Sequence, residues 1–269
     1  MNTQPPQHSP PLKFMSLPTP PYSPSPRATP SFKRPQNVVT TVPRFLPSRK
    51  YTLNQNDDPL DLLCRHFNVA KAVFEPGSPL PTTFDMQVLR DAHMPSHVLA
   101  IFDTPEIDGG PSFQPIMVPI HAELYAQCFR SNILPQSPPG TALPVPYWVP
   151  PLRAQVVSLP VVPTLVPHAP SIPLLLLYVL GVEVRGRILS CSLLPSEVIE
   201  EFPSVAAMAQ VMARICDDDQ FHKYLRYNQG LWKNILALGP HDTSLMEVVQ
   251  TVWNVTAEAR RIRKHYLGR

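Results

Sequence analysis

The sequence predicts an α+β fold: a small sheet-and-helix core followed by an all-helical C-terminal region, behind an N-terminal tail with too little apolar surface to fold. Three observations carry this. Strand-like apolar segments fall in the middle third, where "HVLAIFD" (97–103), "FQPIMV" (113–118) and "RAQVVSLPVV" (153–162) are bounded by turn residues. Beyond Gly186 the apolar residues recur at helical spacing, with Pro195, Pro203 and Pro240 as the only prolines. Of 37 prolines, 13 lie in residues 1–50, which reads as an extended, unpacked segment.

Taken in order, residues 1–56 form a disordered tail rich in proline, serine and threonine. It carries seven bases and no acid, which leaves 16 bases against 20 acids for the rest of the chain. Five Ser-Pro or Thr-Pro steps, at Ser9, Thr19, Ser23, Ser25 and Thr29, are candidate phosphorylation sites. Each phosphate would bring roughly −1.5 to −2 of charge, so a few would cancel the basic character of the tail.

Residues 57–190 are expected to form the α+β domain. Its first helix starts at an Asp57 or Asp58 cap with Pro59 in the first turn, and turns Leu60, Leu63, Cys64 and Phe67 to one side. Asp108, Gly109 and Gly110 supply a turn between the first two strands. Pro119 is expected to end the second strand, having no N–H for the ladder, and to open a helix at His121 with Ala122, Leu124, Tyr125, Cys128 and Phe129 as its apolar stripe. The proline-rich stretch 135–151 reads as a loop, with Tyr147 and Trp148 as a plug docking it on its own domain or, second, as an exposed anchor for a partner. Ser171 is expected to cap the apolar helix "IPLLLLYVLG", whose Leu175, Leu176 and Tyr178 define the core.

Residues 191–269 are expected to be a helical bundle. Val205, Met208, Val211, Met212 and Ile215 form one stripe. Asp217 to Asp219 cap the next helix, with Phe221, Tyr224, Leu225, Asn228, Leu231, Trp232 and Ile235 on one face. Ser244 and Glu247 have capping-box spacing ahead of a last helix that includes Trp253. That helix ends in a cationic cluster, Arg260, Arg261, Arg263 and Lys264, readable as a solvated helix end, a nuclear-import signal or a phosphate contact.

These residues exclude several function classes. The longest apolar run, Ile172 to Val182, is 11 residues, about half of what crosses a bilayer. The four cysteines are scattered, without C-x-x-C, as expected of reduced thiols in an intracellular protein. The start, "MNTQPPQHSPPLKF", has no apolar core of the signal-peptide kind. Phosphate-binding, dinucleotide-binding, serine-hydrolase and zinc-protease motifs are missing. His93 and His97 are separated by Pro95 and do not read as a metal pair, and His121 reads as a structural histidine. No catalytic, cofactor or metal site is expected, and the chain reads as a non-enzymatic protein-interaction module. The second reading is nucleic-acid binding through the basic tail and the 260–264 cluster, set back by the acidic body and the lack of a DNA-reading motif.

The order strand, strand, "VPIHAELYAQC", "VVSLPVV", "PSIPLLLLYVLG" resembles the BTB/POZ fold over residues 95–190, with His121, the Leu159 to Val162 strand and Leu175 to Tyr178 in the family's places. The chain departs from that family in its proline-rich stretch and after Tyr178, where the usual Thr-Gly ending is missing. That resemblance implies protein partners and a homodimer. As a whole, and above all in "LLPSEVIEEFPSVAAMAQVM", "NQGLWKNILALG" and "VWNVTAEARRIR", the chain resembles the clampless family of basidiomycete fungi. This second resemblance implies a regulator of sexual development and clamp-cell formation, acting with transcription regulators in the nucleus.

Overall fold

The computed structural model describes residues 57–267, except 76, 91–92, 105–113 and 136–143. The tail with its five Ser-Pro and Thr-Pro steps, and the 108–110 turn, lie outside the described residues.

The described chain is mixed α+β, sheet first and helices after, as the sequence predicts. Helix α1, Pro59–His66, begins as expected: the Asp58 side chain accepts from the Leu60 N–H at 3.0 Å, and Pro59 occupies the first turn. Strand β1, Thr83–Gln87, follows. It was not anticipated, because only Met86 of its five residues is buried and its alternation is short. Strands β2, His97–Asp103, and β3, Ile116–Ile120, form an antiparallel pair. Helix α2, Ala122–Cys128, leads toward β4, Tyr147–Val149, and the 13-residue β5, Ala154–Val166. The sheet order is β1-β5-β2-β3, with β4 also on β5. β5 is central: it runs parallel to β2 and antiparallel to β1 and β4.

Two expectations about proline fail here. Pro119 does not stop β3; it pairs with Val98 and the strand continues to Ile120. β3 is an edge strand, one of whose two rows of backbone groups has no ladder partner, so a missing N–H is tolerated. The 135–151 stretch is not all loop either, since β4 joins the sheet inside it and turns back through a 3-10 turn at Pro150–Leu152. Arg153 closes that turn at φ 48°, the left-handed conformation that lets β5 start at once.

Helix α3, Ile172–Val179, is buried at all eight positions, Leu175, Leu176 and Tyr178 among them. Beyond it come α4, Gly186–Leu193, the short α5, Ser196–Ile199, then α6, Val205–Ile215, α7, Asp218–Leu238, and α8, Thr243–Leu267. Ser204 and Asp217 cap α6 and α7 by accepting from Ala207 N–H at 3.2 Å and Gln220 N–H at 2.7 Å. Two other caps differ from expectation. At α8 the capping acceptor is Asp242, taking Ser244 N–H and Leu245 N–H, rather than a Ser244–Glu247 box. Ser171 sits at the cap position of α3, but its hydroxyl donates to His168 O and accepts from Asn234 instead.

The α6 stripe is rotated from the expected one: Met208, Ala209 and Met212 are buried and Ile215 is exposed. Trp232 and Trp253 are half-buried, not interior. The buried apolar residues form one connected cluster from Leu60 to Ala259. The core therefore passes through residue 190 without a break, because α3 packs against α1 on one side and α7 on the other. A side-chain clamp reinforces that junction. Asn234, fully buried on α7, accepts from His168 N–H at 3.2 Å and donates to His168 O at 2.7 Å.

Candidate interaction surface

The β4 hairpin concentrates exposed apolar surface. Within eight residues Val145, Tyr147, Trp148 and Leu152 are 76%, 45%, 60% and 66% exposed, which corrects the expected plug: the aromatic pair is displayed. The display is rigid for a local reason. Pairing of Tyr147, Trp148 and Val149 with Val156, Gln155 and Ala154 fixes the backbone, and the Tyr147 hydroxyl donates to Asp85 Oδ2 on β1 at 3.2 Å. Successive strand residues face opposite sides, so Tyr147 and Trp148 offer two aromatic faces across a thin ribbon.

Beside the hairpin lies a cavity of about 230 Å³ lined by Ala70, Lys71, Ala72, Asp85, Leu152 and Val156. Lys71 is held there by Asp58 at 2.5 Å and Asp61 at 3.2 Å, and these two carboxylates raise its pKa. Flanking prolines 146, 150 and 151 add no backbone donors, which blunts the short edge against strand pairing while leaving its side chains available. Sequence reasoning found Tyr147 and Trp148 but missed Leu152 and Asp85. Those two come from the turn and from β1, and only the β1–β5–β4 register brings them together.

The four C-terminal cations do not present one surface. Arg260 and Lys264 are exposed, and Arg261 pairs with Glu258 at 2.6 Å. Arg263 turns inward, its side chain 17% exposed. It donates to Ala213 O at 3.2 Å and Cys216 O at 2.6 Å at the end of α6, pairs with Asp218 at the start of α7, and lies 4.9 Å over the Phe221 ring. One guanidinium thus satisfies the free carbonyls of a helix end and ties three helices together.

Near that clasp, a cavity of about 570 Å³ is lined by Ser192, Glu197, Cys216, Lys223, Tyr224 and Tyr227. Burial pushes the Cys216 thiol up and the Tyr227 phenol up to about 12, the reverse of what activates a nucleophile. Among the described residues no three His, Cys, Asp or Glu side chains are grouped as a metal site. His93 and His97 are not brought together as ligands: His93 is exposed in a left-handed turn and His97 is buried at the start of β2.

Comparison with protein families places the C-terminal part of the chain. Residues 162–265 match the model of the Clampless protein 1 C-terminal domain. Over this stretch the chain is similar to the clampless family. No curated protein and no solved structure gives a significant match. The matched stretch starts inside β5 and ends in α8, and it contains the His168–Asn234 clamp and the Arg263 clasp. The β4 hairpin and most of the sheet precede it.

Proposed function

We propose that this chain is a non-enzymatic protein-interaction module serving clamp formation in fungal development, and that the β4 hairpin is the surface it offers to its partners. The clampless domain supports the developmental role. The observation that carries the mechanism is the displayed pair Tyr147 and Trp148 on a backbone fixed by β5, with Leu152 and a small cavity alongside. Aromatic side chains dominate binding energy at protein interfaces because they bring large apolar area at little conformational cost. The partners in this reading are transcription regulators, met in the nucleus. The strand, strand, helix, strand, helix order of β2, β3, α2, β5 and α3 supports a BTB/POZ-like arrangement of the core, with a homodimer as its further implication.

Nucleic-acid binding through residues 260–264 has less support, since Arg263 is occupied and Arg261 is paired. Immobilised full-length chain, incubated with extract of mating mycelium, separates the two readings. Trp148→Ser should reduce retention of specific protein partners by about 30-fold, the effect of losing one aromatic hot spot, and leave the melting temperature within about 2 °C. Unchanged retention would reject the hairpin, and retention of nucleic acid alone, with a steep loss in salt, would favour the second reading.

A further inference from the structure

The seam between β3 and α2 carries an arrangement that the interaction surface does not use. His97, 7% exposed, opens β2; its cross-strand partner Ile120 immediately precedes His121, the cap residue of α2. Ser96 joins the three parts. Its Oγ accepts from the Ala122 N–H at 2.8 Å, lies 2.9 Å from His97 Nδ1, and reaches Ile120 O at 3.4 Å. His121 Nδ1 is buried with no hydrogen-bond partner.

The Ser96 hydroxyl accepts the first N–H of α2, and the tautomer with the His97 proton on Nε2 lets Ser96 give its own proton to the nearer acceptor, His97 Nδ1. A proton added at Nδ1 makes His97 a donor. Ser96 must then accept from two donors and turn its own proton to Ile120 O, beyond good O–H···O range. A charged His121 beside a charged His97 adds repulsion where His97 is buried and His121 half-buried. Burial and the neighbouring imidazole depress His97; burial depresses His121, against a smaller raising effect of Glu123. Glu123 is exposed on α2; α1, which packs on β3, brings exposed Arg65 and half-buried His66.

We propose that the β3–α2 seam is a proton-operated release, in which proton uptake by His97 and His121 frees the start of α2 from the sheet and uncovers Tyr125. The Tyr125 ring is 1% exposed in the closed form and stacks at 4.5 Å on Phe129, which stays with the hinge. The far end of α2 stays anchored, because Arg130 N–H bonds to Gly239 O and His241 N–H to Cys128 O. The seam opens like a flap hinged at the α7–α8 connection.

The sign follows from linkage. Both folded-state values lie below the ordinary 6.5, so the unfolded or opened form binds more protons, and the closed form loses stability as pH falls below 6.5. Hydrogen exchange of the full chain, corrected for intrinsic rates, should show α2 amides losing protection by up to about tenfold per pH unit per histidine below that point, with α7 amides unchanged. His97→Asn with His121→Gln, which keep an acceptor and a neutral side chain, should flatten the dependence. Equal loss in α2 and α7, or no loss in α2, would overturn the proposal. Should the double variant not fold, the imidazole resonances of the native chain decide: both rings must titrate below 6.5, and a ring titrating at or above it overturns the proposal.

Discussion

Gly230→Ala should destabilise the protein by about 3 kcal/mol, although helix propensity alone predicts a gain of about 1 kcal/mol for replacing glycine inside a helix. The opposite sign comes from the space available. A Cβ on Gly230 would stand 2.3 Å from His168 Cγ and 2.6 Å from His168 Cβ, so no rotation about the end of a flexible side chain relieves it. Nor can the His168 backbone give way, because Asn234 grips its N–H and its carbonyl, while its Nδ1 engages Ser171 Oγ at 3.0 Å. Glycine at this point lets α7 approach the corner between β5 and α3, the contact that merges sheet and helices into one core. A double-mutant cycle makes the cause checkable. With His168→Gly already in place, which removes both the ring and the Cβ, Gly230→Ala should become neutral or stabilising in urea unfolding; an undiminished loss would show that the clash is not the reason.

Arg263→Ala should cost about 3 kcal/mol, whereas Arg260→Ala and Lys264→Ala should stay within about 0.5 kcal/mol. The difference separates a structural clasp from a cluster of interchangeable charges. Removing the guanidinium leaves the carbonyls of Ala213 and Cys216 without their donor and takes the cation from the Phe221 face. Most of the effect is the cost of those stranded groups; the Asp218 partner is 72% exposed and contributes little by itself. Arg263→Lys should recover only part of the loss, because an ammonium cannot fork to two carbonyls and a carboxylate in one plane. Equal effects at all four positions, measured by thermal unfolding, would contradict the clasp.

Much of this fold was legible in the chain because local rules and tertiary packing agree there. The Asp58–Pro59 start of α1, the Asp217 cap and the all-apolar α3 were each readable from neighbouring residues. What escaped depends on contacts distant in sequence. Pro119 reads as a terminator until its strand is known to be at the sheet edge, and β1 has too few buried positions to declare itself without β5. Ser171 reads as a cap, but Asn234, 63 residues away, claims its hydroxyl. Arg263 reads as one more cation because its partners belong to α6 and α7. The aromatic pair was legible as important and illegible as to direction, since a three-residue strand inside a proline-rich stretch gives no period to follow.

Together these features separate stability from recognition. The Gly230 contact, the Asn234 clamp and the Arg263 clasp lie within the stretch that matches the clampless model, while the hairpin ahead of it exposes its aromatic residues. Substitutions in the first set should lower the amount of folded protein, and substitutions on the hairpin should leave folding intact and remove a contact.

The most direct measurement is clamp-cell formation in a dikaryon whose only copy of this chain carries Tyr147→Ser and Trp148→Ser, with protein abundance and melting temperature monitored in parallel. The expected result is wild-type abundance and stability with clamp cells lost. Normal clamp cells in the presence of the folded double variant would contradict it.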